Sequence, residues 1–120
     1  MLIAVPAETS DGLASTRSGH FGHAPWFTLV TVDEGEVVRV QSVKSVDHDE
    51  VGCGGVIDFV ASLGIDAIIT AGMGVPPFTR FTNAGVKVYL DGTQPFVGGA
   101  ITKYLRNDLE EMHLDQACKH

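Results

Sequence analysis

The second half of the chain alternates helix-like and strand-like segments, and that alternation limits the fold more than any other feature. Between Gly54 and Leu63, the residues Val56, Phe59, Val60 and Leu63 recur at helical spacing, and Gly64 follows as a C-cap glycine would. Asp66 to Thr70 (DAIIT) has the length and apolar content of a short buried strand. Ala71 to Val75 (AGMGV) is a glycine-rich turn, and Pro76 and Pro77 suit the first turn of a helix running to Asn83. Ala84-Gly85 stops that helix, Val86 to Leu90 (VKVYL) is another strand, and Val97 to about Met112 reads as a last helix. Strands separated by helices pair in parallel through right-handed crossovers.

The first half differs. Leu2 to Val5 is a short apolar run ended by Pro6, as in a buried strand. Trp26 to Val32 (WFTLVTV) is aromatic and β-branched, Asp33-Glu34-Gly35 supplies a turn, and Glu36 to Val43 (EVVRVQSV) forms the second arm of a hairpin. The expected architecture is an α/β three-layer sandwich. Its five-stranded mixed sheet, order 3-2-1-4-5, uses residues 2–6, 26–33, 36–43, 66–70 and 86–90, with helices near 54–64, 76–84 and 97–110. Ligands of such sheets sit at the carboxyl ends of the parallel strands, which here feed residues 7–23, 71–76 and 91–97.

Composition narrows the function classes. A chain of 120 residues with 44% hydrophobic and 19% charged residues makes one domain, residues 1–112, followed by a flexible tail, 113–120. The formal net charge of −7 argues against general binding to nucleic acid or to anionic membrane. No apolar run approaches the roughly 20 residues of a membrane span. The N-terminus lacks the pattern of a signal peptide, so a cytoplasmic protein is expected. Two cysteines, Cys53 and Cys118, make no disulfide framework.

Chemistry concentrates in three places. Arg17-Ser18-Gly19-His20-Phe21-Gly22-His23-Ala24-Pro25 carries two histidines at i, i+3 in a glycine-spaced turn. These can converge on one point, either as ligands or as hydrogen-bond donors, while Phe21 anchors the turn in the core. Gly52-Cys53-Gly54-Gly55 opens the first helix in this reading, so a thiol there sees the positive end of the helix dipole. In Ala71-Gly72-Met73-Gly74 the backbone N–H groups could cap an anion, although neither a lysine-bearing phosphate loop nor G-x-G-x-x-G is present. Met73 is core filler or a soft contact. Gly98-Gly99 repeats the pattern at the third helix, giving three glycine-lined helix starts along one edge. The tail adds His113, Cys118 and His120. No nucleophile elbow appears, and the first strand carries no acidic residue to hold the metal ions of a nuclease. No catalytic residue and no dedicated metal-ion site is assigned. A small hydrolase or phosphotransferase, and a regulatory protein-interaction module without cargo, remain as competing classes.

The opening MLIAVPA, the S-x-H-F-G-x-A-x-x-F pattern of Ser18, His20, Phe21, Gly22, Ala24 and Phe27, the G-C-G-G around Cys53 and the A-G-M-G turn resemble the dinitrogenase iron–molybdenum cofactor biosynthesis family, over residues 1 to about 108. That resemblance implies a ribonuclease-H-like fold and non-covalent binding and carriage of a preformed metal–sulfur cluster. The stand-alone length further resembles single-domain members of sulfate-reducing bacteria, which implies a mixed molybdenum–copper sulfide cluster. The alternatives are the iron–molybdenum cofactor or an iron–sulfur precursor. Protein partners would come from cofactor assembly or a shared operon. The implied cargo-binding residues are His20, Phe21, Gly22, Cys53, Gly72, Met73 and Gly74. Arg17, His20 and His23 are the donors expected to meet an anionic cluster.

Overall fold

A computed structural model describes residues 1–19, 21–46 and 48–112, with the side chains of residues 22 and 48–53 outside the description. His20, the Cys53 side chain and the 113–120 tail therefore lie outside the described residues. The elements run β1 (Leu2–Ala7), β2 (Trp26–Asp33), β3 (Glu36–Lys44), α1 (His48–Ala61), β4 (Ala67–Thr70), α2 (Val75–Asn83), β5 (Lys87–Leu90), α3 (Val97–Leu105) and β6 (Glu110–Glu111). Short 3-10 turns occupy Gly12–Ala14 and Phe21–His23.

The strands form one mixed sheet, order β3-β2-β1-β4-β5-β6. β1 pairs antiparallel with β2 and parallel with β4, and β4 pairs parallel with β5. Period-two alternation sorts the side chains between two cores. Ile3, Val5, Ala67 and Ile69 join Val97, Ala100 and Ile101 of α3 on one face. Ala4, Phe27, Ile68 and Val88 join Val56, Ile57 and Val60 of α1 and Phe81 of α2 on the other. Among the described residues no helix is long and apolar enough to cross a membrane.

Two elements depart from the sequence reading. The last helix stops at Leu105, and the chain turns back as a sixth strand. Asn107 takes a positive φ of 56°, a backbone conformation asparagine tolerates at a helix end. The amides of Arg106, Asn107 and Asp108 donate to the carbonyls of Thr102, Tyr104 and Lys103. Ile101, Leu105, Leu109 and Met112 keep helical spacing through that break, which is why the sequence continues to look helical.

The first helix begins at His48, not at Gly54. Cys53 thus belongs to the second turn of α1, beyond the first turn within which a helix dipole acts on a thiol. The glycines around it are helical residues and do not form the opening turn.

Candidate functional site at the carboxyl edge

β1, β4 and β5 end on the same side of the sheet, and the segments that leave them take opposite faces. After β4 the chain enters α2 on one face, and after β5 it enters α3 on the other. This divergence makes the crevice in which open α/β sheets place ligands.

On the α3 side the edge is closed. The segment after β1 is stitched down by bridges from Arg17 to Ala7 and from Thr16 to Phe96. Hydrogen bonds from Arg17 N to Pro95 O (2.9 Å) and from Val97 N to Ser15 O (3.0 Å) add to these bridges. Gly98 lies where a Cβ would come 3.0 Å from the Leu13 carbonyl oxygen, and a Cβ on Gly99 would come 2.5 Å from the Gln94 side chain. These glycines serve close packing, so the third helix start is not an open cradle. Arg17 is also committed here: its guanidinium bonds Asp91 Oδ2 at 2.7 Å and the Asp91 carbonyl as well, with only 7% of the side chain exposed. It is not a free donor at the cleft lip.

Asp91 is the hub of that closed side. Thr93 donates both N–H (3.0 Å) and O–H (2.8 Å) to its Oδ1, and Lys103 Nζ lies 3.6 Å away. Burial alone would raise the Asp91 pKa, but the Thr93 bonds and the charges of Arg17 and Lys103 outweigh it and hold the carboxyl below its ordinary range. Burial pulls the Arg17 pKa down while Asp91 pulls it up, and the guanidinium stays protonated across the accessible range.

On the α1/α2 side the edge is open. Phe21 is 5% exposed, with its ring edge-on to Phe81 at 5.4 Å and tilted against Phe27 at 5.8 Å. It pins the 3-10 turn, so His23 is carried on a fixed support and stands exposed to solvent. Met73 is buried in the same core cluster as Phe21 and Phe81, which makes it part of the floor.

Thr70 shapes the turn above that floor. Its Oγ1 accepts from Gly72 N (3.3 Å) and donates to Gly72 O (3.1 Å). A Cβ on Gly72 would meet nothing within 4 Å, and one on Gly74 only Pro76 Cδ at 3.8 Å. Gly74 caps α2 without a side-chain bond, and prolines follow in the first turn. Proline carries no N–H, so this helix start offers an anion fewer donors than an ordinary one. The amides that remain are those of Met73, Gly74 and Val75.

One residue near this site escaped the sequence reading. Arg80 of α2 donates to the Gly54 carbonyl at 3.4 Å and pairs with Asp58, joining α2 to the half of α1 that carries Cys53. A Cβ on Gly54 would lie 3.0 Å from the Arg80 Nη1, so the glycine makes room for this clamp. Nothing in the spacing of Arg80 signals it, because the contact links separate helices. Among the described residues no three His, Cys, Asp or Glu side chains gather as a metal-ion site.

These features define an open α/β domain with one closed and one open side at its carboxyl edge, the open side floored by aromatic and thioether groups. The model of the family described as dinitrogenase iron–molybdenum cofactor matches residues 1–107, and the chain belongs to that family. An uncharacterized protein of Methanocaldococcus jannaschii is 26% identical over 115 residues, covering 92% of this chain and 91% of that protein. Among solved structures, the apo form of the orange protein from Desulfovibrio gigas is similar with a TM-score of 0.76 and 24% identity, covering 92% of both chains. A NifB-like protein from Thermotoga is 26% identical with a TM-score of 0.67, covering 92% of this chain and 91% of that one. These neighbours share the fold of the present chain.

Proposed function

We propose that this protein binds and carries a preformed metal–sulfur cluster without covalent attachment, on the open side of the carboxyl edge. The observation that supports this most directly is the pairing of an apolar, sulfur-containing floor (Phe21, Met73) with an unfilled glycine rim (Gly72, Gly74). A hard phosphate favours a row of helix-start amides and a fixed cation. A sulfide-coated cluster is bulky and polarisable, spreads its charge, and gains from apolar walls and a few N–H donors. The amides of residues 73–75 and the imidazoles of His20 and His23 supply those donors, and Gly22 lets the backbone approach. A mixed molybdenum–copper sulfide cluster is the cargo that fits this chemistry. Its metals arrive already coordinated, so binding needs no ligand from Cys53. The role is carriage, without turnover.

Tetrathiomolybdate and copper added to the apo protein test this. The expected result is a bound species with charge-transfer bands, and NMR shifts concentrated at residues 18–23 and 71–76. Shifts confined to 113–120, or no retained colour after gel filtration, would overturn the assignment.

A further inference from the structure

Thr70 is the last residue of β4 and joins the closed side of the carboxyl edge to the open one. Its main chain belongs to the closed side. It pairs with Leu90 in the sheet, and its carbonyl accepts from the Asp91 N–H at 3.0 Å. The Asp91 carbonyl in turn accepts from the Arg17 guanidinium. The Thr70 side chain acts on the open side. Its Oγ1, on a residue only 2% exposed, accepts from the Gly72 N–H and donates to the Gly72 carbonyl. A hydroxyl has one proton and two lone pairs, so both bonds form together.

The second of these bonds fixes more than Gly72. The Gly72 carbonyl and the Met73 N–H belong to one peptide group, and in a trans peptide they point in opposite directions. With the carbonyl held against Thr70, the Met73 N–H points away from Thr70. That N–H, and those of Gly74 and Val75 after it, have no partner among the described residues. A Cβ on Gly72 would meet nothing within 4 Å, so no side chain stands in front of this turn at Gly72. Glycine is also the residue at which a peptide group turns over most easily, so the orientation needs a hold.

We propose that Thr70 is the positioning residue of the cargo site. Its hydroxyl holds the Gly72–Met73 peptide in the orientation that presents the Met73 N–H to an anionic sulfide cluster. The role rests on the cluster-binding reading. Because the Thr70 backbone is fastened through Asp91 and Arg17, the rigid side of the edge supplies the fixed point for the accessible side.

The test compares the full-length wild type with Thr70→Val, which keeps the shape without the hydroxyl, and Thr70→Ser, which keeps the hydroxyl. In the apo wild type the Gly72 amide should exchange more slowly than that of Gly74. Thr70→Val should speed exchange at Gly72 about tenfold or more and leave Ile68 unchanged. With tetrathiomolybdate and copper as the probe, the Met73 amide should shift on loading of the wild type. Thr70→Val should lose that shift and retain the probe about tenfold less tightly, and Thr70→Ser should restore both. A Gly72 amide as fast as that of Gly74 in the wild type overturns the proposal without any variant. So does a Thr70→Val protein that binds as the wild type does, or a Thr70→Ser protein that binds as poorly as Thr70→Val. If the wild type itself retains no probe while Gly72 stays protected, the cluster-binding reading fails and this role falls with it.

Discussion

Arg17 and Asp91, 74 residues apart in sequence, form a closed pair at 2.7 Å that fastens the segment after β1 to the end of β5. The pair divides the carboxyl edge. It immobilises the α3 side and leaves the glycine rim on the α1/α2 side as the accessible part. A basic residue beside a glycine- and histidine-rich loop thus acts as a fastener and not as a donor at the open rim.

Removing Arg17 leaves Asp91 buried with Lys103 as its nearest remaining cation. Arg17→Ala should cost roughly 3 kcal/mol of stability, the scale seen when one partner of a buried pair is deleted. Urea denaturation followed by circular dichroism measures this. Cargo retention should fall only as far as the 8–18 segment loosens, without the added salt sensitivity that a direct charge contact would give.

The same pair sets a pH dependence. The folded Asp91 carboxyl sits below its ordinary value of 3.8, so the folded state holds its proton less tightly than the unfolded chain does. The resulting stabilisation is complete above the unfolded pKa and is lost as pH falls through the depressed folded value. Denaturation midpoints taken from about pH 6 to about pH 3 should drop most steeply below the ordinary carboxylate range. Asp91→Asn should start lower and show a shallower acid limb. Equal slopes for the two proteins would exclude Asp91 as the source.

Much of the fold is legible because local pattern and tertiary environment agree. The β2–β3 hairpin shows in the β-branched and aromatic run from Trp26 and in the Asp33-Glu34-Gly35 turn, where Glu34 and Gly35 both take positive φ. β4 shows because all four of its residues are buried. The end of α3 does not show, since its break depends on Asn107 alone while the apolar spacing runs on past it. The start of α1 is hidden for the opposite reason. Gly52, Gly54 and Gly55 resemble a turn, yet the helix runs through them, with Arg80 of α2 bound to the Gly54 carbonyl. In the site, Phe21 is readable as an anchor from one aromatic among glycines. The fate of Arg17 is not, because its partner lies at the far end of the sequence.

Two glycines that look alike in the sequence should behave oppositely. Gly72→Ala points its methyl into open space, so stability should change by less than about 0.5 kcal/mol while cargo affinity falls. Gly98→Ala gains helix propensity, but its methyl meets the Leu13 carbonyl oxygen at 3.0 Å, against backbone that cannot swing aside. Overpacking of that kind costs about 1–3 kcal/mol and should outweigh the gain. Thermal denaturation of both variants beside cargo titration separates packing from binding.

Cys53→Ser tests what kind of site the cleft is. Cys53 lies in the second turn of α1, beyond the first turn in which the helix-terminal field would favour a metal-binding thiolate. A cluster whose metals are already saturated with sulfide gains little from one more sulfur. The visible bands of the loaded Cys53→Ser protein should therefore match the wild type in position, with affinity reduced no more than about threefold. Replacing His23 by Ala removes an exposed donor and should weaken retention more than Cys53→Ser does, and copper-edge spectroscopy then shows whether the imidazole ligates copper or donates a hydrogen bond. If Cys53→Ser shifts or abolishes the bands, the thiol is a metal ligand and the site is built by coordination.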